Sequence, residues 1–244
     1  MRVKLSAALL SAVLSVAGTQ EARKPELTAE QVLEKSIAAT GGHQAIAKVT
    51  SSMVKGALEI GPQHTHAAIE LYAKAPAQRL IVTTLEGFGE VRQGCDGKIA
   101  WTQDPSRGLR ELEGAERDEM LRECAFNSEL RWRELYPKVE LAGKEKVGER
   151  EAYKIVMTPA SGKPVTRYFD AENFLLIRQV STRDTAQGSL EIQADMSDYR
   201  DVDGIKMPFL TKQSMSLAEV TIRLVEVKNN VPLDDARFAK PAAK

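Results

Sequence analysis

Val54-Lys55-Gly56-Ala57-Leu58-Glu59-Ile60-Gly61-Pro62, followed closely by His66-Ala67-Ala68-Ile69-Glu70-Leu71-Tyr72-Ala73, decides the architecture of this chain. In the first run Val54, Gly56, Leu58 and Ile60 share one parity, and Lys55, Ala57 and Glu59 take the other. In the second, Ala67, Ile69, Leu71 and Ala73 alternate with His66, Ala68, Glu70 and Tyr72. A period of two marks β-strands, and Gly61-Pro62 turns one into the next. The pair therefore reads as a hairpin with one mainly apolar face.

Outward from this hairpin the same signal recurs. Strands are expected over 52–60, 66–73, 78–87, 90–93 and 98–103, then over 138–141, 152–158, 165–170, 175–182, 189–199, 206–215 and 219–229. Turns at Asp96-Gly97, Gly143, Gly148, Ser161-Gly162-Lys163-Pro164, Gly188 and Asp203-Gly204 separate them. Ahead of the strands, Thr28-Ala29-Glu30-Gln31 has the capping-box spacing, so a helix should start near Thr28 and stop at Gly41-Gly42. A short second helix is expected over 43–49. Residues 113–132 set Met120, Leu121, Cys124, Leu130 and Trp132 among Glu and Arg, the pattern of a second covering helix or helical hairpin. With no alternation of β and α units, a parallel Rossmann-type sheet is excluded. One domain over about residues 25–240 is the simplest organisation.

Ten strands side by side at roughly 4.8 Å span nearly 50 Å, while a helix with its side chains covers only about 10–12 Å. Two or three helices cannot shield such a sheet while it stays flat, so its apolar face must curl. The fold class expected is mainly β (α+β): a curved, unclosed antiparallel β-barrel of about 10–12 strands with helices on the concave side. A lined hollow can result, and its candidate lipid-binding residues are Leu58, Ile69, Leu71, Tyr153, Ile155, Met157, Leu190, Ile192, Met196, Val220, Ile222 and Leu224. The alternative for all twelve is ordinary core packing.

The 244 residues carry 34 basic and 34 acidic side chains, so nothing in the balance favours nucleic acid. Met1-Arg2-Val3-Lys4 precedes an uncharged run from Leu5 to Gln20 ending in small residues. That is a signal-peptide pattern, too short in its apolar part to span a bilayer, with cleavage expected after Ala17 and Gly18 as the alternative. The expected mature form is periplasmic, does not span the membrane, and is monomeric. In an oxidising compartment Cys95 and Cys124 can form a bridge or stay as two buried thiols, and sequence leaves both open. His64 and His66 share a strand parity but lack an evident third ligand, so they read as exposed strand-start residues and no metal site is expected. No Gly-x-Ser-x-Gly elbow, phosphate loop or dinucleotide fingerprint occurs, so neither an enzyme nor a cofactor is implied.

Several local patterns resemble the LolA-like superfamily of outer-membrane lipoprotein-sorting proteins. They are Ala39-Thr40-Gly41-Gly42, Gln93-Gly94-Cys95-Asp96-Gly97-Lys98-Ile99-Ala100-Trp101 and Tyr168-Phe169-Asp170, then the run from Asp198-Tyr199-Arg200 to Met207-Pro208 and that from Asn230-Val231-Pro232 to Phe238. The resemblance implies an unclosed barrel plugged by helices, with a pocket for the acyl chains of a lipid or lipoprotein and a membrane-protein partner in the envelope. The second function class it implies is an envelope-sensing or protein-interaction module with no lipid cargo.

Overall fold

The computed structural model describes residues 27–61, 65–185, 188–216 and 218–242, side chains at 184 and 185 excepted. The expected leader over residues 1–17 and the candidate His64 lie outside the described residues. Helix α1 (Ala29–Thr40) opens where the capping box requires: Thr28 Oγ1 accepts from Gln31 N at 3.2 Å, and Gln31 Oε1 accepts from Thr28 N at 2.9 Å. It closes at Gly41, whose φ of 144° and close approach to the Gly204 carbonyl oxygen both exclude a Cβ. Helix α2 (Gly42–Lys48) follows directly.

Among the described residues thirteen strands form one antiparallel sheet. They are β1 (Ser51–Ile60), β2 (Thr65–Lys74), β3 (Gln78–Leu85), β4 (Gly89–Cys95), β5 (Ala100–Asp104), β6 (Gly108–Glu111), β7 (Lys138–Val147), β8 (Arg150–Thr158), β9 (Val165–Asp170), β10 (Leu176–Thr185), β11 (Gly188–Val202), β12 (Ile205–Met215) and β13 (Ala218–Asn229). Their spatial order is β6-β5-β4-β3-β2-β1-β13-β12-β11-β10-β9-β8-β7. The last strand pairs with the first, so the meander is continuous around the sheet except between β6 and β7. There the chain leaves the sheet for α3 (Gly114–Glu123) and α4 (Trp132–Leu135). Among the described residues no helix is long and apolar enough to cross a membrane.

The unclosed, curved β-architecture matches the expected class, with two differences. The sheet has one strand more than the expected range, because β6 is only four residues long and carries a single large apolar side chain, Leu109. The helical pattern over 113–132 breaks into two short helices at Asn127. That residue takes φ 50° and donates through Nδ2 to the carbonyls of Ile46 and Val49, tying the break to the end of α2.

Among the described residues three apolar clusters hold the sheet. Beneath α1 and α2, Val32, Leu33, Ile37 and Ile46 pack on Trp132, Ile155, Met157 and Phe169. Under α3, Leu112, Cys124 and Ala100 surround Cys95. On the opposite face Phe238 of the C-terminal segment packs on Tyr72, Leu80 and Trp101. Trp101 lies directly across from Gly94, and its Nε1 donates to the Phe238 carbonyl at 3.0 Å. A Cβ on Gly94 would sit 2.5 Å from the indole, so Gly94→Ala displaces the ring. The expected cost is about 1–3 kcal/mol, read as a lower urea midpoint with an unchanged slope and a shifted tryptophan emission.

Candidate functional site

Cross-strand partners point to the same side of a sheet. Following the register, Leu58 faces Ile222 and Ala67, Leu71 faces Val54, and Gly56 lies between Ile69 and Leu224. Val220 and Ile222 face Gln213 and Thr211, Thr211 also faces Met196, and Leu190 and Ile192 face Arg183 and Ser181. Gln179 faces Ala194 and Arg167, Arg167 faces Ile155, and Tyr153 and Met157 face Phe169 and Val165. All twelve candidate positions therefore share one face, and it is the face that carries the helices.

That face is concave. β3 and β10 stand six strands apart in the sheet, on the order of 29 Å if flat. Yet Arg79 of β3 donates to the Glu123 carbonyl at 3.2 Å, while Arg183 of β10 pairs with the Glu123 carboxylate and, at 3.1 Å, with Glu119. Both arginines meet one helix, which only a curled sheet allows. α3 is thus a strap across the open side. Its end is joined to β4 by a Cys95–Cys124 disulfide with Cα atoms 6.6 Å apart. Arg122 donates to the Ser161 carbonyl at 3.0 Å, holding α3 to the loop before β9.

The charges under the strap compensate one another. Desolvation works against the Arg183 charge, but Glu123 and Glu119 outweigh it and raise its pKa. For Arg79, desolvation and the neighbouring Arg183 lower the pKa against the pull of Glu123. The hydrogen bond from Arg110, opposed by desolvation, holds the Glu116 carboxyl below its ordinary value.

The twelve candidates divide into two groups. Ile155 and Met157 are wholly buried beneath α1 and Trp132, and Tyr153 stacks on Phe174 with ring centroids 5.7 Å apart, so these three serve the core. The other nine lie on β1, β2, β11 and β13, whereas the main helix contacts fall on β5, β7 and β12. Leu58 is buried; Ile69, Leu71, Leu190, Ile192, Met196, Val220, Ile222 and Leu224 are only half-buried, at mid-sheet positions. A row of half-covered aliphatic side chains on the inside of a curled sheet is a greasy trough.

Two cavities flank the trough. One, about 360 Å3, lies between α3 and strands β4, β5 and β10, with Val91, Gln93, Leu112, Met120, Ser181 and Arg183 in its wall. The other, about 370 Å3, lies between α1, α2 and strands β9, β11 and β12; Met196 lines it, with Phe169, Leu176, Tyr199, Ile205 and Met207. Burial alone raises the Tyr199 phenol well above its ordinary pKa, and its hydroxyl donates to the Leu176 carbonyl. Arg79, Arg167, Arg183, Glu119 and Glu123 were not among the expected lining residues. Strand parity signals three of them, since Arg79 precedes inward Ile81, Arg167 sits between inward Val165 and Phe169, and Arg183 follows inward Ser181. His66 is exposed on β2, on the face opposite the trough, and the described residues contain no group of His, Cys, Asp and Glu able to hold a metal.

Solved structures share this architecture across almost the whole chain. A DUF1329 family protein from Desulfovibrio piger superposes with a TM-score of 0.60 at 14% identity, covering 86% of this chain and 97% of its own. A LolA superfamily protein from Nitrosomonas europaea gives 0.59 at 16% identity, covering 88% and 99%. The fold is LolA-like. An outer-membrane lipoprotein-sorting protein domain from Vibrio parahaemolyticus gives 0.56 at 12% identity, covering 87% and 97%. No family model and no curated protein matches the sequence. In this LolA-like fold the trough is the concave face and α3 is the strap beside it.

Removing the bridge tests the strap. Cys95→Ser with Cys124→Ser should cost about 2–5 kcal/mol in chemical denaturation. Limited proteolysis should then cut within residues 112–131 faster than in the parent. Equal cutting in both forms would show that the ion pairs alone hold α3.

Proposed function

We propose that this protein is an exported carrier that shelters the acyl chains of a lipid or lipoprotein in its concave trough and moves them through the aqueous periplasm. The observation that carries the reading is the run of half-buried aliphatic residues on β2, β11 and β13. A closed core would have buried them, and a water-facing sheet would have made them polar. Each methylene withdrawn from water contributes roughly 0.8 kcal/mol, so a chain laid along Leu71, Ile222 and their neighbours has ample driving force. Release then needs a competing apolar acceptor or movement of the strap. The signal-like leader supports a periplasmic address, and the lipoprotein-sorting domain that shares the fold supports this class of cargo.

The test is organic extraction of the purified mature protein followed by mass spectrometry, together with uptake of a fluorescent acyl probe. Lipid should co-purify, and the probe should bind. Leu71→Glu and Ile222→Glu, which place a carboxylate in the trough, should each weaken uptake at least roughly tenfold, a cost of about 1.4 kcal/mol or more. Thr221→Glu, on the opposite face, should leave uptake unchanged. Absence of both lipid and probe binding overturns the carrier reading and favours a module that binds another protein.

A further inference from the structure

Among the described residues, two hydrogen-bond donors at one place on the concave face lack an anionic partner. Arg167 of β9 donates from Nε to Gln179 at 2.9 Å, and its guanidinium lies 5.7 Å from the Tyr136 ring centroid. The arginines at 110, 131, 178 and 183 each hold a carboxylate, whereas the described residues show none on Arg167. Trp132 is 4% exposed, and its indole Nε1 is buried with no acceptor among the described residues. Leaving a buried donor such as this indole N–H unpaired away from water is costly.

Both residues line a small cavity of about 40 Å3, which they share with Thr40 and Phe169. Arg167, Thr40 and Phe169 also line the 370 Å3 cavity, which continues along Leu176, Met196 and Met207. The charged side chains in the two walls are Arg167, Lys206 and Glu129, so cations outnumber carboxylates. The hollow under α3 differs, because Arg110 and Arg183 there are already neutralised by Glu116, Glu119 and Glu123. A lone guanidinium and an indole N–H at one end of an apolar wall match a molecule with an anionic head and a greasy tail.

We infer that the cavity between α1, α2 and β9–β12 is a head-group subsite for a single-chain anionic amphiphile. The head, a carboxylate or a phosphate monoester, accepts from Arg167 and Trp132 Nε1, and the tail runs along Leu176, Met196 and Met207 toward the trough. At about 370 Å3 the space is near the lower end of ligand pockets, roughly 300–1,000 Å3, and suits one chain. This inference rests on the carrier reading and adds the class of cargo to it.

Competitive displacement of a fluorescent acyl probe by dodecanoate, dodecyl phosphate and dodecanol tests it, and the two anions distinguish the carboxylate from the phosphate source. At least one anion should bind roughly tenfold or more tightly than dodecanol. Arg167→Gln should bring that anion to the level of dodecanol while leaving dodecanol itself unchanged, and Arg167→Lys should recover part of the preference. Trp132→Phe, which keeps the ring and removes the N–H, should weaken the anion severalfold and carries the test should Arg167→Gln fail to fold. Equal displacement by all three compounds in the parent overturns the subsite and leaves the carrier reading standing. An anion preference that survives both Arg167→Gln and Trp132→Phe also overturns it. Failure of the parent to take up the probe or any of the three compounds overturns both.

Discussion

The structure depends on how a wide sheet with one apolar face keeps that face from water without closing. The helices are too narrow to cover thirteen strands, so the sheet curls, and the curl has to be held where the meander breaks between β6 and β7. The holding element is α3. Its disulfide to β4 ties it to one half, and Arg183 of β10 and the loop at Ser161 tie it to the other. Exposed ion pairs contribute little on their own, but these are partly buried and converge on one short helix. The covalent tether also spares the pairs much of the entropic cost of bringing the two halves together.

The same constraint divides the concave face into a packed part and a half-covered part. At one end α1, α2 and α4 fill the curl, and Ile155, Met157 and Phe169 become core. On β2, β11 and β13 no helix makes a main contact, and aliphatic residues of equal character remain half-covered. The opposite face is stabilised independently by the C-terminal segment, where Phe238 and Lys240 reach Trp101 and Glu111. The trough is residual apolar surface, left because covering it completely would need more helix than the described residues supply.

Much of this is legible in the sequence because strand parity is local. Leu58, Ile69 and Ile222 show by alternation alone that they share a face, and Thr28 with Gln31 marks the start of α1. What parity cannot say is which inward residues a helix will cover: Ile155 and Ile222 look alike along the chain, and only the position of α1 separates them. The return of β13 onto β1 pairs Ser52 with Asn229, a contact across most of the chain that no local pattern encodes. Residues 113–132 keep an amphipathic rhythm through Asn127, whose helix-breaking role comes from its bonds to the end of α2. For Cys95 and Cys124, spacing alone left bridge and free thiols equal, since the deciding quantity is a Cα separation.

The most direct measurement of the account is paramagnetic broadening of methyl resonances by a fatty acid spin-labelled along its chain. The account predicts selective broadening of the methyls of Ile69, Leu71, Ile222 and Leu224, with those of Met53 and Val82 on the opposite face left sharp. Sharp inner-face methyls at saturating ligand, or equal broadening on both faces, would contradict it.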